Sequence, residues 1–185
     1  MMLSVHQRRT EQEWKLLKAL AEENPDLLRD CERDDRADGP VFRFLLQQTP
    51  ALVEDEGKLR IQDQHGISLH FPRFFPAVPL EASLSRPVFH PNVHPETGFV
   101  CLWNRFSSGD TVVDAVGQLR QVITWRLLNE APDHVMQPKS LAWFKDPARS
   151  TPLPLSCPEL RRPEGFDLAR TYARRPEGVG RRRLE

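Results

Sequence analysis

Apolar residues recur at helical spacing near the start of the chain. In residues 8–23, RRTEQEWKLLKALAEE, they form one stripe with the i, i+3, i+4, i+7 spacing of an amphipathic helix. The stripe consists of Trp14, Leu16, Leu17, Leu20 and Ala21. Thr10 and Glu13 fit a capping box, and Asn24-Pro25 predicts the end of the helix. The pattern therefore predicts a first helix over residues 8–23.

Alternating and short apolar runs follow this helix. Residues 41–48 alternate Val41, Arg43 and Leu45 with Phe42, Phe44 and Leu46, which indicates a strand. Two further strands are predicted at 58–62 and 67–71 around a turn at 63–66, and a fourth at 80–84. Residues 26–40 are acidic, and we expect them to be irregular up to the Asp38-Gly39-Pro40 turn. The four strands together predict an antiparallel meander.

A second helical pattern begins at residue 111. Thr111 and Asp114 fit a capping box, and a wide apolar face continues to about Leu128, as expected for a helix that packs on a sheet. A loop is predicted over 129–138 and a short helical turn over 139–144. Helix, strands and helix in this order predict an α+β fold.

Composition limits the range of functions. The chain has 26 Lys and Arg against 26 Asp and Glu, so it is not a nucleic-acid-binding polycation, and nucleic acid is not an expected partner. No run approaches eighteen apolar residues, so no transmembrane helix is expected. Three cysteines without a signal-peptide pattern predict free thiols in a reducing cytoplasm. Structural or incidental roles are the favoured interpretation for Cys31 and Cys157.

The last part of the chain differs from the rest. We predict one domain over residues 1–147 and a Pro/Arg-rich, partly disordered tail over 148–185. The tail repeats RRPEG at 161–165 and 174–178, and from 159 to 185 it has eight arginines against five acidic residues. It has the composition to bind a phosphate backbone or an acidic partner, but a solubilising role is favoured.

The region between the predicted strands and the second helix carries the candidate chemistry. It contains several short motifs in a fixed order, and its prolines at 72, 76 and 79 exclude helix and central strand. Rigid loops of this kind are where sites are built. The motifs are Phe71-Pro72, Phe75-Pro76, Pro79, His90-Pro91-Asn92 and Gly98-Phe99-Val100-Cys101-Leu102.

This series of motifs resembles the core signature of ubiquitin-conjugating enzymes, and by the order of elements the resemblance extends over about residues 8–145. It implies that Cys101 accepts the C-terminal carboxyl group of a ubiquitin-like protein as a thioester and passes it to an amine. It implies that Asn92 donates to the developing oxyanion and that His90-Pro91 supports the loop. The alternatives that Asn92 only forms the loop, and that His90 is wholly structural, stay open.

The family also has an acidic residue on the loop after the second helix, which helps the attacking lysine to lose its proton. Here that loop reads Asn129-Glu130-Ala131-Pro132-Asp133-His134-Val135. Asp133 is the first candidate for this role and His134 the second. The resemblance requires no cofactor. A metal is not expected either, because His90, His94 and Cys101 lack a fourth ligand at a usual spacing.

The resemblance also implies partners. These are a ubiquitin-like modifier, a target protein and an activating enzyme that meets the basic side of the first helix at Arg8, Arg9, Lys15 and Lys18. A solvated charged face is the equally weighted alternative for those residues. Divergent members are found in bacterial operons with an antiviral role, beside genes for a modifier, an activating enzyme and a deubiquitinase-like protease.

Several features depart from the family pattern, and they keep other functions open. The segment from Asn92 to Cys101 is one residue longer than usual, and the loop after Cys101 is about three residues shorter. A non-catalytic adaptor of the same fold is the main alternative, although adaptors typically lack the cysteine. An unrelated cysteine hydrolase is the third possibility, and it requires His94 or His134 within hydrogen-bond reach of the thiol.

Overall fold

A five-stranded antiparallel sheet forms the centre of the computed structural model, which describes residues 4–164. Its strand order is β1-β2-β5-β6-β7, while β3 and β4 pair only with each other. The elements in chain order are α1 Val5–Glu23, β1 Leu28–Asp34, β2 Val41–Leu46, β3 Ala51–Asp55, β4 Lys58–Gln62, β5 His65–His70, β6 Glu81–Leu84, β7 Phe99–Val100, α2 Val112–Ile123 and α3 Pro138–Lys145. The predicted α+β class with an N-terminal helix is confirmed.

Helix α1 begins three residues before the predicted start. Ser4 caps it, because its Oγ accepts from the Gln7 amide at 3.1 Å while the Gln7 side chain accepts from the Ser4 amide at 2.8 Å. Thr10 is therefore not a cap, and its hydroxyl donates instead to the His6 carbonyl inside the helix. The helix ends at Asn24 as predicted.

The predicted meander needs two corrections. Residues 58–62 do form a strand, but β4 pairs with β3 in a separate hairpin and not with the strands of the central sheet. Residues 28–34, expected to be irregular, form β1 at the sheet edge. An edge strand has one neighbour and can keep polar side chains in solvent. The acidic β1 sequence LRDCERD therefore lacks the apolar alternation by which a strand is predicted.

Helix α2 connects the core to α1. Its apolar face joins the cluster that contains the sheet residues, with Val112, Ala115, Val116, Leu119 and Ile123 all buried. The Asp114 carboxylate accepts from the Thr111 amide at 3.0 Å, as the capping pattern predicts. The Val112 amide donates to Glu13 of α1 at 2.6 Å, and Glu13 also pairs with Arg9 at 2.8 Å. Burial raises the pKa of the Glu13 carboxyl group.

The second helix ends earlier than predicted. It stops at Ile123 and not near Leu128, because Trp125 has a left-handed φ of 63°. The amides of Arg126 and Leu127 then turn back to the Gln121 carbonyl, at 2.8 and 3.0 Å. This turn sends the chain across the sheet edge toward Asn129 and the site described below.

The chain after α3 packs on the body up to the last described residue. The Leu155 amide donates to the Thr124 carbonyl at 2.9 Å, and Leu155 is buried. The Asn24 side chain donates to and accepts from the backbone of Arg161, at 2.7 and 2.9 Å. Packing therefore extends beyond residue 147, where the tail is predicted to begin. The second RRPEG copy lies outside the described residues.

Candidate functional site

The His90-Pro91-Asn92 loop is fixed from both sides. The His90 ring Nδ1 accepts from the Asn92 amide at 3.1 Å, and the Pro91 carbonyl accepts from the Met136 amide at 2.8 Å. The Cys101 amide donates to the Asn92 carbonyl at 2.8 Å. The loop therefore has one rigid position relative to the cysteine.

His90 is fully buried, and its ring packs edge-on against Trp125 with ring centroids 4.5 Å apart. Burial lowers the pKa of His90 to about 3. The imidazole is thus neutral near pH 7 and serves as a hydrogen-bond acceptor inside the loop. This geometry agrees with the structural interpretation of His90.

The Asn92 side chain is bound to the loop that follows α2. Its Nδ2 donates to the carbonyls of Asn129, at 2.7 Å, and His134, at 2.9 Å. Its Oδ1 accepts from the Asn129 amide at 2.9 Å. Both hydrogens of the amide group are therefore engaged in positioning this loop, which favours the loop-forming interpretation over direct donation to an oxyanion.

Cys101 follows β7 directly and is half-buried. Its Sγ lies 2.7 Å from Nδ1 of His134. Burial raises the pKa of the Cys101 thiol, and the nearby Asp133 carboxylate raises it further. The thiol is therefore protonated at neutral pH and has a histidine nitrogen in position to receive its proton.

Asp133 extends this contact outward. Its carboxylate lies 3.7 Å from Nε2 of His134, and its side chain is 81% exposed. Cys101, His134 and Asp133 thus form a series in which the histidine touches the sulfur and the aspartate faces the other ring nitrogen. Sequence reasoning placed Asp133 first, because the family pattern asks for an acidic residue. The structure places His134, the second candidate, against the sulfur and Asp133 beyond it.

Two solved structures share the fold of this chain. One, described as a ubiquitin conjugating enzyme from Plasmodium yoelii, matches with a TM-score of 0.52 at 18% identity, over 80% of this chain and 88% of its own. Another, described as a ubiquitin conjugating enzyme from Trypanosoma cruzi, has a TM-score of 0.50 at 14% identity, over 77% and 92%. No family model and no curated protein matches the sequence.

The chain has the ubiquitin-conjugating-enzyme fold. At this identity it is a divergent protein of that fold. In the segment after Cys101, the aromatic rings of Trp103 and Phe106 pack together with their centroids 5.4 Å apart. Trp103 is anchored by its Nε1, which donates to the Leu80 carbonyl at 3.1 Å.

Two residues that support this site were missed by sequence reasoning. Gln137 donates through Nε2 to the carbonyls of Val88 and Val93, each at 2.8 Å, and so holds both ends of the His90 loop. Asn129 donates to Asn104 at 2.8 Å, joining the loop after α2 to the one after Cys101. These contacts join segments that are distant in sequence, so no local sequence pattern predicts them.

The basic residues of α1 fall into two groups. Arg8, Lys15 and Lys18 are exposed, whereas Arg9 is partly buried and donates to the Asp110 carbonyl at 3.0 Å. Arg9 therefore links α1 to the segment before α2. None of the helices in residues 4–164 is both long enough and apolar enough to span a bilayer, and no potential metal-binding cluster of His, Cys, Asp or Glu occurs in that range.

The other two cysteines lie away from this site. Cys31 is on β1 and Cys157 is on the segment after α3, and both are partly buried free thiols. Burial raises the pKa of Cys31 to about 11, so its thiol is protonated and unreactive at neutral pH. The structural or incidental role expected for these two residues stays a prediction.

Burial of His90 predicts an acid-dependent loss of stability. Its pKa is about 3 in the folded state and about 6.5 when unfolded, so the unfolded state binds one more proton between these values. Stability contributed by neutral His90 is present above pH 6.5 and falls as pH drops toward 3. We expect the wild type to lose about 2 kcal/mol more than His90→Asn between pH 7 and pH 5, measured by urea unfolding. Parallel losses in the two proteins would contradict a buried neutral histidine.

Proposed function

We propose that this chain is a conjugating enzyme that carries a ubiquitin-like protein as a thioester on Cys101 and transfers it to a lysine amine. The observation that carries the proposal is the 2.7 Å contact between Cys101 Sγ and His134 Nδ1, at the site loop of a conjugating-enzyme fold. A thiol that forms a thioester must lose its proton, and this contact supplies the acceptor.

Loading is a thiol exchange. Sγ of Cys101 attacks the thioester carbonyl of the charged activating enzyme, while His134 takes the thiol proton. The sulfur–carbon bond to the activating enzyme then breaks, and the proton passes from His134 to the departing thiolate. A base is useful here because burial keeps the Cys101 thiol protonated at neutral pH.

In the transfer step the sulfur of Cys101 is the leaving group. The lysine amine attacks the carbonyl on Sγ, an amide bond forms, and the sulfur–carbon bond breaks. His134 accepts the amine proton and returns a proton to Sγ. Asp133 faces the far ring nitrogen of His134 at 3.7 Å, the position of an orienting carboxylate. No cofactor takes part in this proposal, and ATP is consumed by the activating enzyme.

Asn92 contributes by position. Because its amide group binds the carbonyls of Asn129 and His134, it holds the loop that presents His134 to the sulfur. His90 and Pro91 fix Asn92 in turn. In this proposal the site is assembled by one buried network, and the proton moves only at its exposed end.

The partners follow from the fold. A ubiquitin-like modifier, an activating enzyme and a target are general partners of conjugating enzymes. We place the activating enzyme at the exposed basic side of α1, formed by Arg8, Lys15 and Lys18, while Arg9 serves mainly to hold the helix. A cytoplasmic bacterial conjugation pathway with a role in antiviral defence is the setting we propose.

A cysteine hydrolase is a second candidate, since the same contact meets its requirement. The Cys101, His134 and Asp133 series has the order of a nucleophile, a base and an orienting carboxylate. Such an enzyme would cleave a modifier precursor without ATP or activating enzyme. Conjugation is favoured because the series sits on a conjugating-enzyme fold.

The test is a thioester assay with a ubiquitin-like modifier and its activating enzyme. With ATP, we expect an adduct on a non-reducing gel that thiol reductant removes. Cys101→Ser should give a reductant-resistant oxyester or no adduct, whereas the control Cys157→Ser should load normally. Absence of an adduct with a charged activating enzyme would refute conjugation and favour an adaptor. Cleavage of a precursor without ATP would favour the hydrolase.

His134 should control the pH dependence of loading. At pH 7, we expect His134→Ala to load about a hundredfold more slowly, because the protonated thiol has lost its base. The difference should shrink as pH rises toward the elevated pKa of the thiol, since the thiolate then forms unaided. Single-turnover loading rates between pH 6.5 and 9.5 measure this.

The matched control for this experiment is His94→Asn. His94 belongs to the turn before β7, where its ring accepts from the amides of Glu96 and Thr97, and an asparagine side chain can accept in the same way. We expect its loading profile to follow the wild type. A His134→Ala profile that is parallel to the wild type at all pH values would show that His134 is not the base.

A further inference from the structure

A groove of about 430 Å³ has Cys101 in its wall. It is bordered by the proline-rich loop before β6, by the end of β7 and by the residues after Cys101. Its other lining residues include Val78, Pro79, Leu80, Glu81, Phe99 and Trp103. The residue that carries the acyl group in our proposal therefore borders this groove.

The pairing of β6 with β7 explains how the groove meets the cysteine. Ala82 faces Val100 and Ser83 faces Phe99 in the antiparallel register. The next residues in this register are Glu81 and Cys101. Ala82 and Val100 are buried, so the alternate residues Glu81, Phe99 and Cys101 are on the outer face.

Most of the groove is apolar although it is open to solvent. Val78 is 39% exposed and Phe99 is 40% exposed. Exposed large apolar side chains beside a reactive atom favour a ligand with an apolar portion. Trp103 is held at the groove by its bond to the Leu80 carbonyl, so this wall is already formed.

One charge interrupts this apolar surface. Among the groove's lining residues, all of which the structure describes, only Glu81 is a carboxylate, and none is a lysine, arginine or histidine. Its Oε2 lies 3.3 Å from Nδ1 of His70, which holds the carboxylate at the sheet surface. The groove thus combines an apolar floor with a single fixed acidic group.

We propose that this groove receives the acceptor lysine side chain. A lysine has a four-carbon apolar stem and a terminal ammonium group, and it packs its stem on apolar surfaces while its charge meets a carboxylate. Val78 and Phe99 contact the stem, and Glu81 attracts the ammonium group. An uncharged chain segment in the groove would match the apolar surface but would gain no charge interaction with Glu81.

This inference rests on the proposed conjugating function and adds a basis for acceptor choice. The ammonium group enters as a cation and gives one proton to solvent, so that it attacks the thioester carbonyl as the neutral amine. His134 takes the proton that this amine loses on attack and returns it to Sγ of Cys101. The amide bond forms as the sulfur–carbon bond breaks. Glu81 acts before the chemical step, by raising the local concentration of the cationic acceptor.

The experiment starts from wild-type enzyme that carries the modifier as a thioester, and it compares two acceptors. After loading, ATP is removed and the thioester is treated with free lysine or with hydroxylamine, which is small and uncharged at neutral pH. We expect Glu81→Gln to slow discharge to lysine about three- to tenfold, because one partly exposed charge pair is lost. Loading and discharge to hydroxylamine should match the wild type.

Two variants sharpen this result. Glu81→Asp retains the charge and should restore most of the lysine rate. Glu96→Gln removes an exposed carboxylate that does not line the groove, and it should discharge to lysine like the wild type. Phe99→Ser should also slow lysine more than hydroxylamine, because the stem loses its contact.

The outcomes separate the two levels of the proposal. If Glu81→Gln forms the thioester normally and discharges to lysine at the wild-type rate, the groove assignment is overturned and the conjugating function stands. Equal slowing with both acceptors would overturn it as well, because the effect would then belong to the thioester itself. Failure of the wild type to charge would refute the conjugating function and the groove assignment together.

Discussion

The site depends on the hydrogen bonds of the Asn92 side-chain amide. This amide joins the loop before β7 to the loop after α2 through bonds to Asn129 and to the His134 carbonyl. These loops are far apart in sequence and have no strand or helix pairing to hold them together. Because Asn92 is 2% exposed, water does not compete for its hydrogen bonds. Together with the bonds of Met136 and Gln137 to the His90 loop, this link holds the segment that places His134 against Cys101.

Burial and proximity act in opposite directions on Cys101. Burial raises the pKa of its thiol, which lowers the amount of thiolate and protects the sulfur from adventitious oxidation. In the conjugation that we propose, the histidine nitrogen in contact with the sulfur accepts the thiol proton. Under that proposal, the site keeps the free thiol protonated and places a base beside it.

The extent to which sequence predicted this structure follows from the range of each interaction. The stripe that includes Leu17 and Leu20 and the capping box of Thr111 and Asp114 are local patterns, and they predicted α1 and the start of α2. The polar edge strand β1 is defined by its pairing with β2, which no local pattern reveals.

The site divides in the same way. The motif order predicted that Cys101 and the His90 loop lie together. The hydrogen bond from the Cys101 amide to the Asn92 carbonyl agrees with this. The contact of His134 with Cys101 joins residues 33 positions apart and depends on the left-handed turn at Trp125. A bulky residue in that conformation is rare, so sequence reasoning extended α2 too far and left the position of the loop undetermined.

A double-mutant cycle on loading at pH 7 tests the central claim that Asn92 acts by placing His134. Single-turnover rates would be measured for the wild type, Asn92→Ala, His134→Ala and the double variant, with folding checked by circular dichroism. The account predicts that the double variant loads no more slowly than His134→Ala, because both changes remove the same base. Additive losses of activation free energy would contradict it and make Asn92 an independent donor to the oxyanion.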